Sequence, residues 1–143
     1  MIRKYKPEDI EAVLDVWYKS SSLAHPFMTE EFKTKEKDNI RNIYIPSTET
    51  WVYEKGKTVV GFIGMLDNEV GAIFVDPQFH GLGIGYALMN HVSELFEELE
   101  VEVFKTNTIG RNFYNKYGFE FIKEHLHKET GQQLLRLKYK KSA

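Results

Sequence analysis

The sequence contains no cysteine, which excludes disulfides, thiolate-held metals and any reaction that passes an acyl group through an enzyme thiol. It has no large excess of one charge either. With 19 Lys and Arg against 21 Asp and Glu, a formal charge of -2, neither nucleic acid nor an anionic membrane is an expected partner. No apolar run approaches a membrane span, and Met1-Ile2-Arg3-Lys4-Tyr5 lacks the apolar stretch of a secretory signal, so a soluble cytoplasmic protein is expected. Internal repeats, low-complexity tracts and composition shifts are missing too. A chain of 143 residues suits one core, so a single domain over residues 1–143 is the expectation.

What is present is a regular change of hydrophobic period. Residues 2–5 read as a strand. Pro7, Glu8 and Asp9 then suit a helix's first turn, and Ile10, Val13, Leu14 and Trp17 repeat at helical spacing until Ser20-Ser21-Ser22 breaks the pattern. After a loop at His25-Pro26-Phe27, Thr29 can cap a second helix bearing Phe32, Ile40 and Ile43, which Pro46 stops. Residues 50–54, 58–66 and 70–75 read as three strands of an antiparallel meander, the apolar middle one buried on both faces. From Ile84, the positions Leu88, Val92, Leu95, Phe96 and Leu99 predict a helix, followed by a strand over 101–104. Ile109, Phe113 and Tyr117 predict the buried stripe of a short helix ended by Gly118, with Tyr114 at the stripe's edge. Strands over 119–123 and 134–139 complete one mixed sheet with helices on both sides.

The most informative stretch is Asp76-Pro77-Gln78-Phe79-His80-Gly81-Leu82-Gly83-Ile84-Gly85-Tyr86, in which alternating glycines lead from a strand end into a helix. Amides at a helix start lack intrahelical acceptors, glycines let a backbone approach a ligand closely, and the helix dipole favours an anion. The pattern fits a phosphate-bearing cofactor; a flexible turn with no ligand is the bland alternative. A dinucleotide-binding turn needs Gly-x-Gly-x-x-Gly tight against its strand, whereas Tyr86 stands at the last position and Asp76 to His80 intervene, although Glu102 lies at a plausible ribose-binding distance. A P-loop needs Lys-Ser or Lys-Thr after the glycines, and none follows.

The strand exit Val75-Asp76-Pro77 and the run His80-Gly81-Leu82-Gly83-Ile84-Gly85 resemble motif A of the GNAT superfamily of acyl-CoA N-acyltransferases, with His80 in place of the usual Arg or Gln. Asn107 to Phe119, with Phe113-Tyr114 and a closing Gly118-Phe119, resembles motif B of the same superfamily. The resemblance covers the element order of nearly the whole chain and is shared with small bacterial members that also carry a His followed closely by Phe, here His25-Pro26-Phe27. It implies an α+β, three-layer α/β/α fold, a mixed and mainly antiparallel sheet of six to seven strands flanked by about four helices.

It also implies a function: direct transfer of acetyl from acetyl-CoA to a primary amine in a ternary complex, the acceptor being a small molecule, a peptide or a protein lysine. By the same resemblance the cofactor-binding residues are Phe74, Val75, His80, Gly81, Leu82, Gly83, Ile84, Gly85, Tyr86, Asn107, Asn112 and Tyr114. The backbone amide of Val75, or of Phe74, is expected to stabilise the oxyanion. Tyr114 is expected to protonate the leaving thiolate as general acid, since a phenol stays protonated at neutral pH. A lysine-like amine has a pKa near ~10.4, so a base is needed, directly or through water. His25 and Glu69 are the candidates, with Glu102 as a further carboxylate, while His91, His125 and His127 read as structural and no metal is expected. A monomer or homodimer fits this reading. The alternatives are a CoA-ester-binding or sensor protein without turnover and, more remotely, a dinucleotide-binding module.

Overall fold

Seven segments pair into one sheet in this computed structural model, which describes residues 1–141. In chain order they are β1 (Ile2–Lys4), β2 (Glu49–Lys55), β3 (Thr58–Leu66), β4 (Glu69–Val75), β5 (Glu98–Phe104), β6 (Glu120–His127) and β7 (Gln132–Lys140). Across the sheet they run β1-β2-β3-β4-β5-β7-β6, antiparallel except between β4 and β5. The expected meander is β2-β3-β4, and β3 is buried along its length except at its ends, as its apolar run predicts.

Helices α1 (Ile10–Ala24) and α2 (Glu30–Asn39) belong to one side of the sheet, and α3 (Ile84–Ser93) and α4 (Thr108–Tyr117) to the other. Val13, Val16 and Trp17 of α1 pack on Val52, Val59 and Phe62, while Ile84, Leu88, Met89 and Val92 of α3 pack on Val60, Ile63, Leu99 and Val101. Complete burial of a side chain such as Leu88 or Met89 contributes roughly 2 kcal/mol, so these two layers fix the sheet between them.

Three local expectations change. The serines do not end α1: Ser20 and Ser21 are buried in its last turns, and the His25 amide closes the helix on the Ser21 carbonyl at 2.7 Å. The second helix starts as expected, with Thr29 Oγ1 accepting from the Phe32 amide, but it widens over Ile40–Tyr44 into a π turn before a last turn at Ile45–Ser47. Widening there accommodates Pro46, which has no amide to donate to a tight α turn. The third helix stops at Ser93, leaving Leu95 and Phe96 beyond it, and Leu99 lies in β5. Leu99, Val101 and Val103 are buried while their neighbours are half-exposed, so the two-residue period prevails over the helical one.

Candidate active site

The sheet parts where β4 meets β5. Among the described residues these strands pair only through Glu69 with Glu100 and Val70 with Val101, and beyond Val70 they diverge. The cause lies on the other side of β4. Ala72 pairs with Gly64 and Val70 with Met65, so Gly71 is an extra residue, a bulge that bends the strand and increases its twist. The Asp76 amide donates to the Val60 carbonyl at 2.8 Å. By strand alternation the amides of Phe74 and Ala72 also face β3, while those of Val75 and Ile73 face the gap.

Past the end of β4, Gly81 and Gly83 take positive φ angles of 81° and 82°, and a Cβ at either would meet nothing within 4 Å. The space over the turn is open. The first backbone bond of α3 runs from Ala87 to the Gly83 carbonyl, which leaves the amides of Ile84, Gly85 and Tyr86 without intrahelical acceptors. Three free donors at the positive end of a helix fit a phosphate group, so the residues present suit the pyrophosphate of an acyl-CoA. Gly85 has a different role: a Cβ there would lie 3.2 Å from the Phe113 ring, so glycine lets α3 and α4 approach.

Helix α4 brings Tyr114 to the same gap. Asn107 caps the helix, its Oδ1 accepting from the Gly110 amide at 2.9 Å, and Gly118 ends it at φ 118°. Tyr114 is only 7% exposed, packed edge-to-face against Phe113 and Phe119. Its hydroxyl opens on the cleft with no hydrogen-bond partner among the described residues. Burial, the sole influence on it, pushes the phenol well above its ordinary value, so it is a proton donor at neutral pH. From the glycine turn past Tyr114 to the mouth between α2 and the β6–β7 turn, the cleft measures about 800 Å³.

Residues 46–121 match the family model described as an acetyltransferase (GNAT) domain. The chain belongs to the GNAT acetyltransferases. It is 30% identical to the peptidyl-lysine N-acetyltransferase YiaC of Escherichia coli over 85% of this chain and 84% of that one. With the peptidyl-lysine N-acetyltransferase YjaB of the same organism the identity is 30% over 83% of this chain and 81% of its relative. The solution structure of apo YjaB superposes with a TM-score of 0.88 at 28% identity, covering 99% of this chain and 98% of YjaB. The fold also matches that of the PaiA N-acetyltransferase of Thermoplasma acidophilum, solved in complex with coenzyme A, with a TM-score of 0.78 at 21% identity over 97% of this chain and 98% of that one. The seven-stranded mixed sheet with four helices is the GNAT fold, and the protein is an acetyltransferase. Among its described residues no helix is long and apolar enough to cross a membrane.

Several residues of this GNAT acetyltransferase stand otherwise than the sequence suggests. His25, a candidate base, is buried with both ring nitrogens engaged: Nδ1 meets Ser21 Oγ at 2.9 Å, and Nε2 meets Asn107 Nδ2 at 3.2 Å. Because Asn107 Oδ1 is held by Gly110, its Nδ2 donates, so His25 Nε2 accepts and Nδ1 carries the proton. Burial lowers its pKa to about 4, and a neutral, doubly bonded imidazole clamps α1 to the cap of α4 instead of accepting substrate protons. The Phe74 amide faces β3, which removes it as an oxyanion donor. His80 folds back and donates Nε2–H to the Val75 carbonyl at 2.9 Å, away from the glycine amides. Asn112 is exposed and lines a separate groove beside β6, so it does not reach the cleft. Asn107 is occupied as cap and clamp. Of α4 only Tyr114 is fully buried; Phe113 and Tyr117 of the expected stripe are partly buried against the core, and Ile109, in the helix's first turn, is 44% exposed.

Glu69 starts β4, and its carboxylate meets Arg136 at 3.4 Å. Three residues, the bulged Gly71 among them, lie between it and Ile73, at most about 13 Å along the strand. It lines the same cleft as Ile73, nearer the mouth. Leu82 is exposed at the turn and Tyr86 lies at its helical end, its ring against Tyr117. No side-chain motif marks the Ile73 amide in the sequence. Gly71 within a β-branched strand was the available signal, since an isolated strand glycine often marks a bulge.

Proposed function

We propose that this protein transfers acetyl directly from acetyl-CoA to the side-chain amine of a peptidyl lysine. The observation that carries the reading is the partly open edge of β4, which exposes the Ile73 and Val75 amides between the glycine turn and the unpartnered Tyr114 hydroxyl. The lysine acceptor rests on the likeness to YiaC and YjaB, both named as peptidyl-lysine N-acetyltransferases.

Each group of the chain has one task. The amides of Ile84, Gly85 and Tyr86 hold pyrophosphate, and the free edge of β4 offers the pantetheine arm a strand to pair with. An amide in the gap, Val75 or Ile73, stabilises the negative charge that grows on the thioester oxygen as the amine attacks. The C–N bond forms, the C–S bond breaks, and the Tyr114 hydroxyl gives its proton to the departing thiolate. Before it attacks, the lysine ammonium gives one proton to water leading toward the mouth, where Glu69 and Glu102 stand; the nitrogen gives up a second as the amide forms, and one of the two is returned through solvent to Tyr114.

The test is thiol release from acetyl-CoA with lysine peptides, with mass spectrometry locating the acetyl group. Acetylation of the lysine side chain is the expected result; CoA binding with no transfer to any amine would favour the sensor reading. A second result checks the phosphate cradle. Gly83→Ala introduces no clash, but a Cβ at φ 82° costs about 1–2 kcal/mol of backbone strain. Calorimetry should find CoA affinity reduced severalfold or more, with the fold retained; unchanged affinity would place the phosphates elsewhere.

A further inference from the structure

The cleft is electrically lopsided. Of the residues lining it, four carry a formal charge at neutral pH with histidine neutral, and all four are carboxylates: Glu36, Glu69, Glu102 and Glu129. Among the described residues no Lys or Arg lines it, although Lys and Arg make up 19 of the chain's 143 residues. The carboxylates come from four separate elements, α2, β4, β5 and the β6–β7 turn, and none belongs to the glycine turn that fits phosphate. Three of them have partners that do not themselves line the cleft. Arg136 is 3.4 Å from both Glu69 and Glu102 while also bound to Glu100, His125 approaches Glu102 at 3.3 Å, and Lys35 meets Glu129 at 3.1 Å. Among the described residues Glu36 meets only the neutral Asn39 amide, and Arg136 and Lys35 are two cations against four lining carboxylates, so the mouth as a whole is left negative.

A second observation ties this charge to a ligand. The Tyr114 hydroxyl, on a side chain more than nine-tenths buried, opens unpartnered into the same cleft, so an occupant reaching past the carboxylates meets a proton donor. An extended lysine side chain spans about 6 Å from Cα to Nζ. Glu36 and Glu129 belong to α2 and to the β6–β7 turn, outside the strands that form the gap, so a lysine whose amine enters the gap between β4 and β5 leaves its flanking residues beside those two carboxylates. The charge therefore acts on the neighbours of the target lysine more than on the target.

We infer that the mouth selects lysines set in basic segments, with Glu36 and Glu129 reading Lys or Arg beside the target. This rests on the peptidyl-lysine reading above. Several carboxylates focused by a low-dielectric cleft attract cations and repel acidic flanks, and such complementarity acts through encounter and specificity.

The experiment compares two acetyl-CoA acceptor peptides of equal length with one central lysine, flanked by arginines in one and by glutamates in the other. The basic peptide should show kcat/KM at least about tenfold higher at low salt, carried mainly in KM, with the gap shrinking as sodium chloride rises. In Glu36→Gln/Glu129→Gln the ratio between the peptides should fall severalfold, and because it is a ratio, a general loss of activity does not imitate the effect. Equal kcat/KM for the two peptides in the unaltered protein, or an unchanged ratio in the double variant, would overturn the inference while leaving lysine acetylation standing. Failure to acetylate either peptide, alongside acetylation of small amines, would overturn both.

Discussion

Tyr114→Phe should lower kcat by about 100-fold or more while leaving the dissociation constant for CoA nearly unchanged. The hydroxyl has no partner to lose among the described residues, so its removal leaves no buried group unpaired, and the ring keeps its packing against Phe113 and Phe119. A structural role therefore predicts almost no effect of this substitution. A role as proton donor predicts the opposite, because the bond to sulfur strengthens only as the thiolate departs. Steady-state rates with the best lysine peptide, together with calorimetric CoA binding, separate the two. A rate within a few-fold of the original would assign the proton to another group.

The second large effect is on stability. His25 has a folded pKa of about 4 against an ordinary 6.5, so between these values the unfolded chain binds more protons than the folded one. Its contribution is complete above about pH 6.5 and is lost as pH falls toward 4, about 3 kcal/mol in all. Urea midpoints measured from pH 7.5 down to pH 4 should fall steeply as pH drops through that window. His25→Gln, which keeps hydrogen-bonding capacity but cannot titrate there, should be less stable at pH 7 and show a slope shallower by about one proton. An identical slope in the two proteins would mean that the imidazole charges where it stands. Because the same ring holds Asn107, the cap of the helix carrying Tyr114, the variant should also lose turnover more than CoA affinity.

The glycine turn and the short helix of Tyr114 were legible because each depends on local rules: positive φ at Gly81, Gly83 and Gly118, and an Asn cap at 107. The meander was legible for the same reason, since short turns join its strands. Less could be read where the outcome depended on a partner distant in sequence. His25 looks like a loop histidine with a useful pKa until Asn107, 82 residues away, takes its second nitrogen. Leu99 continues a helical period and joins a strand because β7 is there to pair with it. The carboxylates at the mouth come from elements separated by most of the chain, and no window of sequence contains them together.

The bulge at Gly71 is a property of the backbone and of its pairing with β3. The aperture between the two half-sheets is accordingly set by the chain before any ligand arrives, and little strand separation has to be driven by binding. A preformed aperture converts more of each contact into affinity, because little of it is consumed in reshaping the protein. It also makes the site tolerant in a particular way. Side chains on the rim can change the guest admitted without altering the width of the opening, whereas deleting one residue near position 71 would remove the bulge, bring β4 and β5 together and close the site from within.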